Sequence, residues 1–483
     1  MSSHNTRRRT FLKLAGLGVT AGLAGCSSNG GDGGDGGDGG DGGDGGSTGD
    51  GGDGGDGGGE DFPIDLGSFR EADIDWQKHS GTDLTLGFVA HPFVDNFRPL
   101  TEAFEALTGI NAEWQILPEN EFRTKRQTDA STGAGEMDVF MMDQVIAQFM
   151  EAGWLQTLDP YFDSEDLYDD DWYQVDDHND AALTAAHGHG TTDQWTGIPI
   201  TTEVTVTFYR TDLYEKHGLE EPETYAELRE NARILDENED IPGVVNRGLR
   251  GFGMNAYTMN SVLRGWGGEL WNSYPDDSGL DDSEAIEAGE YYVNLLRDHG
   301  PSDAESYAWS DSLTAMQQGN AAQIANDANL FWGGLTGEDA AVPDQIGITS
   351  VPVPDVDGSQ FAPNAFTWTI STSQASDNSE AAFLFMLFAT SPEATRFMGE
   401  NGAPFITRQS AWESDWYRGQ IDDEFAEVTL ESLGGAVPDT FDARYPEWAE
   451  EYSVHLQSAI AGDKSAEQAF NDAASDAERI ASQ

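Results

Sequence analysis

DLTLGFVAHPFVDNFRPLTEAFEALTGINAEWQILPENEFRTKRQTDASTGAGEMDVFMM, residues 83 to 142, switches between two periodicities. Residues 83–89 alternate in the manner of a half-buried strand. Residues 97–107 put Phe97, Leu100, Phe104 and Leu107 on one helical face, and Thr108-Gly109 ends that helix. A second strand over 110–117, a second helix over 119–131 and a third strand over 137–142 follow. The order βαβαβ predicts a parallel sheet with helices on its faces.

The pattern continues outward. Residues 145–150 read as a helix and Gly153-Trp154-Leu155 as a turn, and a strand over 204–209 opens a second α/β unit. Pro222 and an acidic first turn start its first helix, with further helices over 286–297 and 310–318. Strands are expected over 251–254, 321–325, 345–353 and 366–370. Residues 381–389 are very apolar but too few to cross a bilayer, which takes about 20 residues, so they predict a buried helix. From residue 422 onward the chain reads as helical throughout.

The front end is different. Basic residues 7–9 precede an apolar, small-residue run at 14–24. The stretch around Arg8 and Arg9 resembles a twin-arginine export signal, and Leu23-Ala24-Gly25-Cys26 resembles a lipobox. Cys26 is the chain's one cysteine, so no internal disulfide is available. The Gly/Asp repeat that follows has nothing apolar to bury and predicts a disordered tether with a span of roughly 33 Å. The expected organisation is a signal peptide at 1–25 and a lipidated Cys26 with its tether at 26–65, followed by the folded body.

Eighty-eight acidic residues stand against 24 basic ones, a formal charge of −64. No basic footprint exists for nucleic acid. Lys78, Lys125, Lys216 and Lys464 are the only lysines of the body. This balance resembles proteins of extreme halophiles, in which molar salt shortens the Debye length to about 3 Å and screens self-repulsion. With so many carboxylates, a carboxylate pair carries no information about catalysis.

Several markers in order carry a family resemblance: 104–110 (FEALTGI), 135–139 (GEMDV), 153–155 (GWL), 197–199 (GIP) through 209–213 (YRTDL), 266–270 (WGGEL), 316–320 (MQQGN) and 391–394 (SPEA). Together they resemble the family 1 extracellular solute-binding proteins of ABC importers. Residues 249–253 and 299–301 are more similar to the polyol and neutral-sugar branch. The resemblance implies an α/β fold of the periplasmic-binding-protein type II: two doubly wound, Rossmann-like lobes joined by a hinge, with the ligand in the cleft between them. Lobe I would hold 82–202 plus 358–415, and lobe II 203–354 plus 416–483. It also implies a partner, the membrane permease of the importer, and a monomer without cofactor.

A neutral sugar or polyol asks for aromatic faces plus carboxylates, amides or Arg for its hydroxyls. Placed at strand ends, the candidate ligand residues are Phe93 beside His91, then Asp143, Gln144, Glu203, Asn255, Tyr257, Asp327, Trp332, Phe366, Trp368, Arg444, Tyr445 and Trp448. Asn329 stands where the maltose branch would lead one to expect a stacking Trp, which argues against a long oligosaccharide. His187-Gly188-His189 lacks a third ligand at usable spacing and reads as a loop, so no metal is expected. Two alternatives stay open: a different solute, foremost a polyamine, and a secreted glycosidase with two carboxylates, which no spacing supports.

Two outcomes follow. Cys26→Ser should yield exported protein that is released from the membrane fraction, and retention of all of it there would contradict the lipobox. The unfolding midpoint should rise between about 0.1 M and 3 M salt, and a flat midpoint would contradict the screening argument.

Overall fold

The computed structural model describes residues 62–438 and 442–483; Arg8, Arg9, Cys26 and the Gly/Asp repeat lie outside them. In chain order the strands are β1 (Asp83–Val89), β2 (Asn111–Leu117), β3 (Val139–Met142), β4 (Ile198–Arg210), β5 (Trp271–Ser273), β6 (Asp277–Ser278), β7 (Gln323–Ala328), β8 (Ile346–Thr349), β9 (Asn364–Thr372) and β10 (Val437–Pro438). Eight of them form one curled sheet in the order β2-β1-β3-β9-β4-β7, with β10 on β9 and β8 on β4, while β5 and β6 form a hairpin.

The βαβαβ start is present, and β1 runs parallel to β2 and β3, with Leu86 opposite both Trp114 and Val139. The sheet then departs from the expected parallel order. β9 is antiparallel to β3 and to β4, and β4 is antiparallel to β7 and β8. β4 carries the chain out of the first lobe and β9 lies antiparallel beside it where the chain returns, so their direction is set by where the chain must go and not by a βαβ unit.

β4 joins the two lobes. All thirteen of its residues are buried. From Ile198 to Val204 it pairs with β9, and from Thr205 it pairs with β7 and β8. At the change of partner stands Asn329. Its amide N–H donates to Val204 O (2.9 Å), its Oδ1 accepts from Val204 N–H (3.1 Å), and its Nδ2 donates to Pro404 O (3.3 Å). The residue that sequence comparison set against a stacking Trp is a buried hinge clamp.

The helix expected over 97–107 is broken. Pro92–Phe97 and Thr101–Thr108 are α-helical and Arg98–Leu100 between them is 3-10. Pro99 has no N–H to give the helix ladder. Gly109 closes the second helix with φ +70°, a conformation that costs glycine little. Residues 251–254 form a turn, not a strand, because Gly251 has φ +138° and Met254 leads straight into the helix Asn255–Gly265. The strand expected at 321–325 is β7, shifted so that Asp327 lies within it. The apolar helix Ser379–Ala389 is buried from Ala381 to Ala389. The C-terminal region is not helical throughout: β10 interrupts it and pairs parallel with Asn364 and Ala365 of β9. No helix among the described residues is long and apolar enough to cross a membrane.

Asn329→Ala should leave the buried Val204 N–H without its side-chain acceptor and lower stability by about 1–3 kcal/mol. An unfolding midpoint equal to wild type would remove Asn329 from the hinge.

Candidate functional site

A cavity of about 60 Å³ lies beside the stretch where β4 changes partners, with walls from both lobes and from β4 and β9. His91, Glu119, Arg123 and Gln144 line it from the first lobe, Arg247, Tyr257 and Trp309 from the second, and Glu203, Phe366 and Trp368 from β4 and β9. A water needs about 10–15 Å³ on this scale, so the space suits a ligand displacing a handful of waters.

Each polar group is held by a second one. His91 caps the helix Pro92–Phe97 by accepting Phe93 N–H on Nδ1 (3.1 Å). That bond places the neutral ring's proton on Nε2, which donates to Glu203 Oε1 at 3.4 Å. The second oxygen of Glu203 has no hydrogen-bond partner among the described residues, and neither does the buried Oε1 of Gln144. Both are acceptors waiting for a donor.

The two arginines are braced by buried carboxylates. Arg123 Nε donates to Asp143 (2.7 Å) and its Nη2 pairs with Glu119 (2.9 Å), while Arg126 closes the other side of Asp143 at 2.8 Å. Burial alone would push the Asp143 carboxyl up, but the charges and hydrogen bonds of Arg126 and Arg123 outweigh it and hold it at about 2, against an ordinary 3.8. In the second lobe Arg247 donates Nε to both oxygens of Asp327 (2.9 and 3.1 Å), Nη2 to Asp327 Oδ1, and Nη1 to Gly253 O (2.9 Å). Its guanidinium lies 4.5 Å from the centre of the Tyr257 ring. Phe366 and Trp368, two residues apart on β9, meet edge to face at 5.3 Å.

Of the residues expected from sequence, Gln144, Glu203, Tyr257, Phe366 and Trp368 line this cavity, together with His91. The others do not. Phe93 faces the core, stacked between Phe88 and Phe97. Asp143 and Asp327 stand behind the wall as counterions to the arginines. Trp332 stacks on Phe425 at 5.4 Å. Asn255 is buried and donates to Gly248 O and Ser453 O (3.3 and 3.0 Å). Arg444 pairs with Glu447 at the surface. Tyr445 and Trp448 belong to a separate cluster with Trp271, and Trp448 Nε1 donates to Asp442 (3.0 Å). Counting from a strand end gives the loop but not which side of the next helix turn a side chain takes.

Sequence reasoning missed Glu119, Arg123, Arg247 and Trp309. Arg247 had a signal: it follows Val244-Val245-Asn246 in a chain poor in cations, and an Arg directly behind an apolar pair can be drawn inside where a carboxylate pairs it. Arg123, in the run RTKR, reads as a solvated helix face. His187 of the HGH run packs on Trp195 at 4.3 Å. Among the described residues, Glu451, His455 and Asp476 are close enough to share a metal ion, but Lys464 is 2.8 Å from His455 Nδ1 and Arg479 2.7 Å from Asp476, so cations already occupy that cluster.

Residues 91–396 match the sequence profile of a family described as bacterial extracellular solute-binding protein. The chain is 23% identical over 408 residues to the erythritol/L-threitol-binding protein of Mycolicibacterium smegmatis, covering 81% of this chain and 84% of that protein. It is 28% identical over 364 residues to the mannitol-binding protein of Pseudomonas aeruginosa, covering 72% and 78%. The fold superposes with TM-score 0.75 on a solute-binding protein of an ABC transporter from Agrobacterium radiobacter K84 solved with ribitol, at 22% identity over 83% of this chain and 99% of that one.

The folded-state value of Asp143 lies below the unfolded one, so its charge stabilises the fold at neutral pH, and that contribution is lost as pH falls from about 4 toward 2. The stability gap between wild type and Asp143→Asn should hold steady above about pH 5 and narrow by about 2 kcal/mol toward pH 2. A gap independent of pH would contradict the ion cluster.

Proposed function

We propose, from the premise that this chain belongs to the bacterial extracellular solute-binding proteins, that it captures a short neutral polyol or a single sugar and delivers it to an ABC importer. The carrying observation is the cavity itself: small, floored by Phe366 and Trp368, and walled by Arg donors facing carboxylate and amide acceptors. A hydroxyl both donates and accepts, so a chain of hydroxyls can satisfy Gln144 Oε1 and Glu203 while taking the remaining N–H groups of Arg123 and Arg247. The named relatives bind erythritol or L-threitol and mannitol, which have this chemistry. An oligosaccharide does not suit about 60 Å³. A cationic polyamine would meet two arginines.

The lobe limits 82–202 plus 358–415 and 203–354 plus 416–483 are part of this reading. Support comes from β4, which changes partners between Val204 and Thr205. Lipidation of Cys26 would keep the monomeric protein at the outer face of the membrane, with export through the signal carrying Arg8 and Arg9.

Calorimetric titration in molar KCl with erythritol, ribitol, mannitol and maltotriose tests the reading. One of the three polyols should bind with an affinity that varies little with salt, and maltotriose should not bind. Glu203→Gln should weaken the polyol by about ten- to hundredfold, the effect of losing a charged acceptor worth about 1.5–3 kcal/mol. Tighter binding of maltotriose, or an affinity that collapses as salt rises, would overturn it.

A further inference from the structure

Across the cavity, away from the hinge strands, one loop of the second lobe reaches the first. Arg123 of the helix Glu119–Thr132 lies with its guanidinium carbon 4.6 Å from the centre of the Phe252 ring. A Cβ on Gly253 would stand 3.3 Å from Arg123 Nη2. Gly253 O, in turn, accepts from Arg247 Nη1. The two arginines of the cavity, one from each lobe, thus converge on the tip Phe252-Gly253.

That tip is held from behind. Gly248 and Leu249 N–H donate to Tyr307 O (2.9 and 3.0 Å), Gly251 N–H donates to Ser453 Oγ, and Asn255 ties Gly248 O to Ser453 O. Phe252 meets Tyr445 at 5.9 Å, Tyr445 meets Trp448 at 5.1 Å and Trp448 meets Trp271 at 5.4 Å, each ring against the edge of the next. The column braces the tip through the buried rings of Tyr445 and Trp448 and ends on the half-buried Trp271.

We propose that Phe252-Gly253 is the closure latch of the cleft. Phe252 is a positioning residue: it meets Arg123 only when the lobes are closed, and it sets that arginine opposite Arg247 for the ligand. Asn255, Tyr445 and Trp448 support the latch without lining the cavity. Arg123 keeps its charge through Asp143 and Glu119, so the cation–π contact is available before any ligand arrives. The ligand then adds its own contacts to a closed form that the latch already favours. This inference rests on the cavity being the binding site.

The test uses the full chain with Cys26→Ser, which leaves introduced cysteines as the only thiols. Gln127→Cys and Glu287→Cys, both exposed and one on each lobe, carry a fluorescent donor and acceptor. Phe252→Ala should lengthen the ligand-free separation and weaken ribitol, erythritol or mannitol by about two- to thirtyfold, mainly through faster dissociation. Phe252→Trp should restore both. If Phe252→Ala does not fold, Gly253→Ala, which presses on Arg123, should lengthen the separation in its place. A ligand-free separation unchanged by the substitution overturns the latch. Because that separation is read without polyol, failure of every polyol to bind counts against the proposed function alone.

Discussion

A buried strand must pair its backbone along its whole length, and β4 has to do so while exchanging one set of partner strands for another. Thirteen buried residues leave no solvent to accept an orphan N–H. β9 serves the first half, β7 and β8 the second, and Asn329 supplies an amide where one ladder ends and the next begins. Everything at the cavity follows from this continuity. Glu203 sits one residue before the change of partner, and Phe366 and Trp368 on β9 run beside it, with Glu203 opposite Phe366. The floor of the site is therefore part of the hinge, and a rotation of the lobes moves the walls over it.

The walls solve a separate problem. A guanidinium at the edge of a small, closed cavity is costly unless it is paired and hydrogen-bonded. Asp143 is shared by Arg123 and Arg126, and Asp327 takes Arg247 by two donors. These pairings neutralise the arginines while leaving N–H groups free of the carboxylates, so the cavity can offer donors without a large net charge. The same arrangement separates the site from the surface. Apart from the buried Asp129 and Asp138, the carboxylates elsewhere among the described residues reach water and answer to salt, whereas Asp143 and Asp327 are fully buried and screened little.

The residues that sequence placed at the cleft and structure placed behind it have a common logic. Asn255, Tyr445 and Trp448 come from the right region of the second lobe, but their side chains brace a loop and fill no cavity. Phe93 follows the right strand, yet its helix turns the ring inward against Phe88 and Phe97. A strand end is legible from periodicity because it is a local event. Which of three neighbouring side chains points into a cavity depends on a helix turn or a glycine such as Gly251, whose φ +138° belongs to a turn where a strand was expected.

The sequence by itself determined the alternating α/β start, the buried character of the helix Ser379–Ala389, and the two aromatic residues of β9, because each depends on spacing within a few residues. It also determined the acid excess, which no folding changes. Only the tertiary structure decided that β9 runs against β3 and β4, that Asn329 clamps the hinge, and that Arg123 and Arg247 converge from opposite lobes on Gly253. Apart from Arg247 and Gly253, six positions apart, those pairings join residues more than one hundred positions apart, and a charged side chain carries no local mark of whether water or a buried carboxylate will satisfy it.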